Sequence, residues 1–319
     1  ALTTGDSNVA IGYAALNNAT SSDNNTAVGR SALQENSTGG ANVAVGKDAL
    51  KSSTGSNNTA VGYQSQEATT TGASNSSLGL HALRLNTTAN NNTGVGYSSL
   101  GANTTGYANT ALGSVAGDTI TTGYYNTCLG HDSGSSTVLM TTALGCSLVG
   151  AFCHTSAADS SYANGFGYDI SAVAGYTTVG KAGDDIAAAH GNVTWATVSD
   201  ERVKKDIQDA TAGLAFINDL RPVTFNYKNK GDIPPEFIGY EEGSTEAYKN
   251  PKEQHGFIAQ EVKATIDKHS DIKDGFSMWD TRENDQQRVG ETAVIPMLTK
   301  AIQELSAKVE ALESQPKCK

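Results

Sequence analysis

Asn42-Val43-Ala44-Val45-Gly46 is one copy of a five-residue motif that decides the fold of the first part of the chain. The motif recurs eight times, and the copies begin at Asn8, Asn25, Asn42, Asn58, Asn75, Asn92, Asn109 and Asn126. Successive copies lie 17 residues apart, with one step of 16. Such a fixed period is typical of a solenoid and is too short for a helical repeat. Residues 1–135 are therefore predicted to form a mainly β solenoid, with one or two short strands and turns in each coil.

The motif predicts two columns of side chains that run along the solenoid. Neighbouring strand residues point to opposite faces, so the column of Val45 and the column of Ala44 face opposite ways. We expect the larger aliphatic column to fill the inside and the column of small residues to face outward. A small-residue surface suits the close approach of another backbone, which favours a homotrimer of three coils around one axis. Asn and Gly clusters such as Asn24-Asn25 supply the turns.

The repeats over roughly residues 5–135 resemble the head of trimeric autotransporter adhesins, whose coils form left-handed β-rolls. They are also similar to the shafts of viral tail fibres. Triplets of the form Asn-x-Ser/Thr, such as Asn18-Ala19-Thr20, follow from the composition of the repeat. They are interpreted as solvated turn residues rather than glycosylation sites.

Residues 136–198 are predicted to be a degenerate β connector of short irregular strands. Weak copies of the motif occur at Thr142-Ala143-Leu144-Gly145 and Thr178-Val179-Gly180. Five potential metal ligands fall near this region: Cys128, His131, Cys146, Cys153 and His154. Their spacing fits no zinc pattern, and Cys128 occupies the small position of the repeat, so they are interpreted as buried small residues. We expect no metal and no cofactor.

The charge pattern places a domain boundary at Ser199. Residues 1–198 hold 11 acidic and 5 basic residues, whereas 199–319 hold 22 and 17. The net charge of −11 forms no basic face, which argues against nucleic acid as a partner. No apolar run is long enough to cross a membrane, and four scattered cysteines are too few for a disulfide framework. The opening without Met fits a fragment of a longer protein.

Residues 199–319 are predicted to form an α/β domain. Helical spacing of apolar residues runs over 207–220, an alternating strand follows at 223–227, and prolines mark a loop at 231–235. Residues 255–262 are typical of a strand that runs into a helix, and 291–315 form the terminal helix.

The terminal helix carries apolar residues in steps of three and four. These residues are Ile295, Leu298, Ile302, Leu305, Val309 and Leu312. They predict a coiled-coil seam of three heptads, which we assign to the trimer. Two alternatives remain open. Ile or Val at the first position with Leu at the fourth favours dimers in parallel coiled coils, and an apolar stripe can also pack on its own domain.

Four motifs in this region carry a resemblance to a known family. They are Ser199-Asp200-Glu201-Arg202-Val203-Lys204, Leu220-Arg221-Pro222-Val223-Thr224-Phe225, His255-Gly256-Phe257-Ile258-Ala259-Gln260-Glu261 and the stretch from Ile295 to Leu305. In this order they resemble the S74 peptidase family. This is the intramolecular chaperone at the end of phage endosialidases, tail fibres and neck appendages, which also occurs in the myelin regulatory factor. The resemblance implies a trimeric chaperone that helps an upstream β-fibre fold and then cuts itself off.

The resemblance places the family's Ser–Lys dyad on Ser199 and Lys204. A serine hydroxyl is a poor nucleophile until a base takes its proton, and a lysine serves as that base only when desolvation lowers its pKa. An oligomer interface could supply the desolvation. The expected cut is at Val198–Ser199, and the Ser199–Asp200 bond is the alternative. His255 either orients the site or is a structural residue at a strand end.

The expected protein is a homotrimeric phage-type tail fibre, spike or appendage that cleaves itself once. It is expected to fold in the host cytoplasm, to reside in the virion and to meet a host-surface glycan or protein receptor. The main rival is a structural or adhesive surface protein whose C-terminal domain only trimerises. A glycan-degrading spike is disfavoured because the repeat offers no paired carboxylates at one site.

Overall fold

The computed structural model describes residues 4–192, 194–197, 199–272, 276–281 and 285–315. The chain divides into two compact units, Ala1–Asp200 and Glu201–Lys319. The first unit contains the strands β1 (Val9–Ile11), β2 (Thr26–Val28), β3 (Val43–Val45), β4 (Thr59–Val61), β5 (Ser76–Leu78), β6 (Thr93–Val95), β7 (Thr110–Leu112), β8 (Thr127–Leu129), β9 (Ser147–Val149), β10 (His154–Thr155), β11 (Asn164–Tyr168), β12 (Ser171–Ala172), β13 (Tyr176–Lys181) and β14 (Asp184–Ala189). The predicted solenoid is confirmed, with one three-residue strand in each repeat.

A single 12-stranded sheet runs along the first unit in the order β1 to β9, then β11, β13 and β14. All neighbours pair in parallel except β14, which pairs with β13 in the antiparallel sense. The sheet therefore continues beyond residue 136 as far as Ala189, where β14 ends. The later strands β11, β13 and β14 are five or six residues long.

Of the two weak motif copies, one lies in a strand as predicted and the other does not. Thr178-Val179-Gly180 lies in β13 and pairs in register with Gly165-Phe166-Gly167, so this copy is confirmed. The copy assigned to residues 142–145 is wrong, because the strand of that coil is β9, a few residues later. Cys146 there takes the place of the motif asparagine, and its backbone N–H donates to Asn126 Oδ1 at 3.0 Å.

The predicted inside and outside of the coil are reversed. The small residues lie inside: Ala27, Ala44, Ala60, Ser77, Gly94, Ala111 and Cys128. The aliphatic residues beside them face outward, and Ile11, Leu78 and Leu112 are more than half exposed. The interior is filled instead by a leucine four residues after the motif glycine, as in Leu33, Leu50, Leu83 and Leu100. Because this leucine already occupies the narrow coil, only a small side chain fits opposite it.

The motif asparagines form a buried ladder from coil to coil. Asn75 Nδ2 donates to the Ala89 carbonyl at 2.8 Å, and Asn75 Oδ1 accepts the backbone N–H of Asn92 at 3.0 Å. The same pair of bonds recurs at neighbouring coils, for example at Asn92 and Asn109. Each buried amide therefore satisfies backbone groups that the turns leave unpaired. Asn18, in contrast, is exposed, as expected for a turn residue.

A group of polar side chains interrupts the apolar interior at the fourth and fifth coils. Gln66 occupies the position that holds leucine in the flanking coils, and it is completely buried. Its Nε2 donates to Ser77 Oγ at 2.8 Å and to the Thr59 carbonyl at 2.9 Å. Ser77 also pairs with Ser65 at 2.5 Å. This polar plug separates two apolar clusters, one from Leu16 to Ala60 and the other from Leu83 to Ala172.

Three of the four cysteines belong to the second apolar cluster. Cys128, Cys146 and Cys153 are buried and carry free thiols. Burial raises the pKa of all three thiols, most strongly for Cys128. Cys128 fills space next to Gly134, where a Cβ would lie 2.7 Å from its sulfur. Among the described residues, no group of three or more His, Cys, Asp or Glu side chains is arranged to hold a metal ion.

The second unit contains α1 (Leu214–Asp219), β15 (Val223–Phe225), β16 (Gln254–Gly256), α2 (Ala259–Lys268), β17 (Trp279–Thr281), β18 (Gln287–Val289) and α3 (Ile295–Glu313). Its core gathers Phe216, Val262, Ile266, Met278 and Val294. The predicted helix over 207–220 is shorter than expected. Gly213 adopts a non-helical conformation and Asp206 a positive φ of 56°, so only its last part is helical, and Ile207 is exposed. The hairpin β17–β18 was not predicted.

Candidate functional site

The Ser199–Lys204 segment lies where the two units divide. Ser199 belongs to the first unit and Lys204 to the second, and the division falls after Asp200. Glu201–Val203 forms a 3-10 turn, and the Lys204 backbone N–H donates to the Glu201 carbonyl at 3.0 Å. Both Ser199 and Lys204 are exposed. Val198, on the other side of the expected scissile bond, lies outside the described residues. The pairing of the serine with the lysine stays a prediction.

His255 lies at the centre of a two-stranded antiparallel sheet. It stands opposite Thr224 in the pairing of β15 with β16, and its side chain is exposed. It lines a cleft of about 330 Å³ together with Pro222, Val223, Thr224, Gly256, Phe257 and Glu291. The Glu291 carboxylate approaches the backbone closely, since a Cβ on Gly256 would lie 2.8 Å from Oε1. His255 and Glu291 thus line the same open cleft, and the role of the histidine at Ser199 stays a prediction.

The terminal helix begins later than predicted and exposes its seam. Residues Glu291–Val294 form a 3-10 turn, and α3 covers Ile295–Glu313. All six seam residues are at least 40% exposed, and Ile302 and Leu312 are each 66% exposed. Within the described residues the seam therefore does not pack on its own domain. It is an apolar stripe that faces solvent in the single chain.

A different face of α3 holds the helix to its unit. Ala301 is buried, and the Glu304 carboxylate accepts the backbone N–H of Leu214 at 3.0 Å, at the first residue of α1. This bond satisfies one of the N–H groups that a helix leaves unpaired at its start. In the same unit, Arg221 and Glu261 form a bidentate ion pair. Hydrogen bonding to Arg221 lowers the pKa of the Glu261 carboxyl. With α3 fixed by one face, the seam is presented outward.

The outer face of the solenoid sheet carries a second apolar column. In each of β1 to β9 the third residue is aliphatic and faces outward. None of the residues in these nine strands is charged. The column continues with Phe166 and Val179, which are 39% and 38% exposed. Long uncharged aliphatic columns of this kind are typical of interaction surfaces.

Comparison with known proteins identifies one segment of the chain. Residues 199–271 match the family model Peptidase_S74, described as the chaperone of endosialidase. Neither the curated proteins nor the solved structures contain a match to this chain. No helix in the described part of the chain is long and apolar enough to cross a membrane.

The match starts at Ser199, directly after the solenoid, and ends before β17. A solenoid followed by such a segment fits a phage tail-fibre-like protein, and the family is compatible with a self-cleaving peptidase. The chain thus carries a β-solenoid of about ten turns followed by a segment, residues 199–271, that matches the family model Peptidase_S74, the chaperone of endosialidase.

Proposed function

We propose that this chain is part of a homotrimeric phage tail fibre, spike or appendage whose C-terminal unit guides folding of the β-solenoid and then releases itself by Ser–Lys self-cleavage. One observation carries the proposal: the Peptidase_S74 match begins at Ser199, where the repetitive, low-charge unit ends. The residue that would act as nucleophile therefore lies at the junction between the solenoid and the segment that matches the chaperone. The fibre would fold in the host cytoplasm and reside in the virion.

Two apolar surfaces support assembly of several copies. One is the exposed seam of α3, and the other is the uncharged aliphatic column of the solenoid sheet. Burial of apolar area contributes roughly 25 cal/mol per Å², so two such faces on each chain favour association. Association of three copies around an axis is the proposed arrangement for each surface. The aliphatic column replaces the small-residue column as the reason for a trimer, because the small residues lie inside the coil.

The cut itself follows ordinary acyl-transfer chemistry. Lys204, as a neutral amine, takes the proton of Ser199 Oγ, and the oxygen attacks the carbonyl carbon of Val198. The bond from that carbon to the Ser199 nitrogen breaks, and the nitrogen receives the proton from Lys204. Water then hydrolyses the ester, which leaves a carboxylate on Val198 and restores the serine hydroxyl. Lys204 is exposed in the single chain, so packing of neighbouring copies would have to remove it from water.

Mass spectrometry of purified protein tests the cut. A cut at Val198–Ser199 gives fragments of 198 and 121 residues, and the Ser199→Ala variant is expected to stay at 319 residues. Thr197→Ala is the matched control, since this exposed hydroxyl lies two residues away, and it is expected to be cut like wild type. Identical fragments from Ser199→Ala would show that another nucleophile acts.

Lys204 is tested in the same way. Lys204→Met is expected to slow the cut by at least about a hundredfold, the usual contribution of a general base. Lys205→Met changes the neighbouring exposed lysine and is expected to leave the rate unchanged. Equal rates for both variants would remove Lys204 from the mechanism. A wild-type chain that trimerises and stays uncut would favour the rival function, a structural or adhesive protein.

A further inference from the structure

Three tyrosine rings pack against one another on one edge of the solenoid. Tyr107 and Tyr124 are stacked with ring centroids 4.8 Å apart and an angle of 10° between the planes. Tyr125 meets both rings edge-on, at 5.3 Å and 5.5 Å. The rings belong to adjacent coils, and the Tyr125 backbone N–H donates to the Tyr107 carbonyl at 3.2 Å. We call these three residues the tyrosine platform.

The platform is held by the coil and open to solvent. Tyr125 is 58% exposed and Tyr107 is 39% exposed, although both rings are fixed by their neighbours. Tyr162 follows on the same edge after Leu144, whose carbonyl accepts its backbone N–H at 2.8 Å, and it is 57% exposed. Tyrosine offers a large rigid surface at a low cost in side-chain entropy, which suits recognition. The fold of the coil does not require tyrosine at these positions, because other coils carry small or amide residues just before the motif asparagine.

The chemistry around the platform is polar and uncharged. From the third coil on, the two residues that precede the motif asparagine are Gly40-Ala41, Ser56-Asn57, Ala73-Ser74, Asn90-Asn91, Tyr107-Ala108 and Tyr124-Tyr125 in successive coils. None of these residues is charged, whereas the first two coils carry Asp6 and Asp23 at this place. Desolvation raises the pKa of the Tyr107 phenol, and the phenols of Tyr125 and Tyr124 raise it further, so this phenol is neutral at physiological pH. From the third coil to the platform, this edge therefore offers π-faces, hydroxyls and amides without a net charge.

We infer that the tyrosine platform is a binding site for a neutral saccharide. The C–H groups on one face of a sugar ring carry partial positive charge, which the negative face of an aromatic ring attracts. The surrounding hydroxyls and amides are the partners that sugar hydroxyls need. An acidic sugar would lack a cationic partner here. The platform would then be the binding site for the expected host-surface glycan. This inference does not depend on whether the chain cleaves itself.

A protein partner fits this edge less well than it fits the strand face. The aliphatic column of the strands is a continuous row of apolar side chains, as in the core of a protein interface. Each ring of the platform, in contrast, carries a hydroxyl group. The two surfaces therefore differ in chemistry, one for copies of the chain and one for a soluble or surface-bound sugar.

Saturation-transfer NMR on the full-length protein tests the site. The probes are hexasaccharides of glucose, galactose and N-acetylglucosamine, and wild type is expected to transfer signal to the ring C–H protons of at least one of them. The variant Tyr107→Ser/Tyr124→Ala/Tyr125→Asn uses residues found at the same positions in other coils, namely Ser56, Ala73 and Asn91. It is expected to fold normally and to lose at least tenfold in affinity.

Tyr97→Ser is the matched control, because this tyrosine is 53% exposed and follows its strand instead of preceding the next one. Ser114 occupies the equivalent position one coil later. The control is expected to bind like wild type. The inference is overturned if wild type gives no signal with any probe or if the triple variant binds equally well. A triple variant that changes the oligomeric mass while wild type binds no saccharide assigns the platform to a protein contact instead.

Discussion

Single residues set the shape of each coil through backbone conformation and buried hydrogen bonds. The motif glycines adopt φ values that other residues rarely take, and carbonyl oxygens of the next coil lie where their Cβ would be. The motif asparagines satisfy backbone groups between coils. From the sequence, both residues were assigned to turns. The 17-residue period shows that the motif asparagines and glycines have a structural role. The hydrogen bonds of the asparagine ladder join residues of neighbouring coils, and rules for turns within one coil do not predict them.

Substitution of one motif glycine tests this account at the residue scale. Gly62 has a φ of +140°, and a Cβ there would lie 2.3 Å from the Gly79 carbonyl oxygen. Gly62→Ala is expected to lower the free energy of unfolding by about 2 kcal/mol or more. Gly183→Ala is the control, because its Cβ would meet nothing within 4 Å. Thermal unfolding followed by circular dichroism measures both, and equal stability of the two variants would contradict the account.

At the scale of elements, the sequence predicted the strands but not which side of them is buried. Alternation shows that Val45 and Ala44 face opposite ways, yet it does not say which one faces inward. The deciding signal was the leucine four residues after the motif glycine, such as Leu50, because it leaves space only for a small residue opposite. The same logic explains why Gly134 accompanies the larger Cys128 later in the solenoid. In the second unit, Gly213 ended a helix that apolar spacing alone had extended to Ile207.

Replacing the polar plug tests how the interior is held together. The triple variant Ser65→Ala/Gln66→Leu/Ser77→Ala restores the residue types of the neighbouring coils and joins the two apolar clusters. Gln66 Oε1 has no hydrogen-bond partner among the described residues, so its burial costs free energy. The triple variant is expected to gain about 1 kcal/mol or more in unfolding free energy. Gln66→Leu alone should gain less, and a triple variant below wild type would show that the plug stabilises the coil.

At the scale of the whole molecule, two units with different compositions are joined at the segment that would be cut. The change in charge density predicts a boundary at Ser199, and the two compact units divide after Asp200. The sequence also predicted the seam of α3, whose exposure in the single chain agrees with a role between copies. The dyad could be named only through family resemblance, because an exposed serine and lysine have no local signature of reactivity. The proposed coupling is that assembly removes Lys204 from water and thereby starts the cut.

The most direct test of this coupling is the intact mass of a seam variant, measured beside its oligomeric mass. Ile302→Asp places a charge on the exposed seam and leaves the domain core untouched, whereas Gln303→Asp changes an exposed residue outside the seam. Wild type and Gln303→Asp are expected to form trimers and to yield two fragments. Ile302→Asp is expected to remain a single uncut chain of 33.0 kDa. A monomeric Ile302→Asp chain that is cut as completely as wild type would contradict assembly-coupled release.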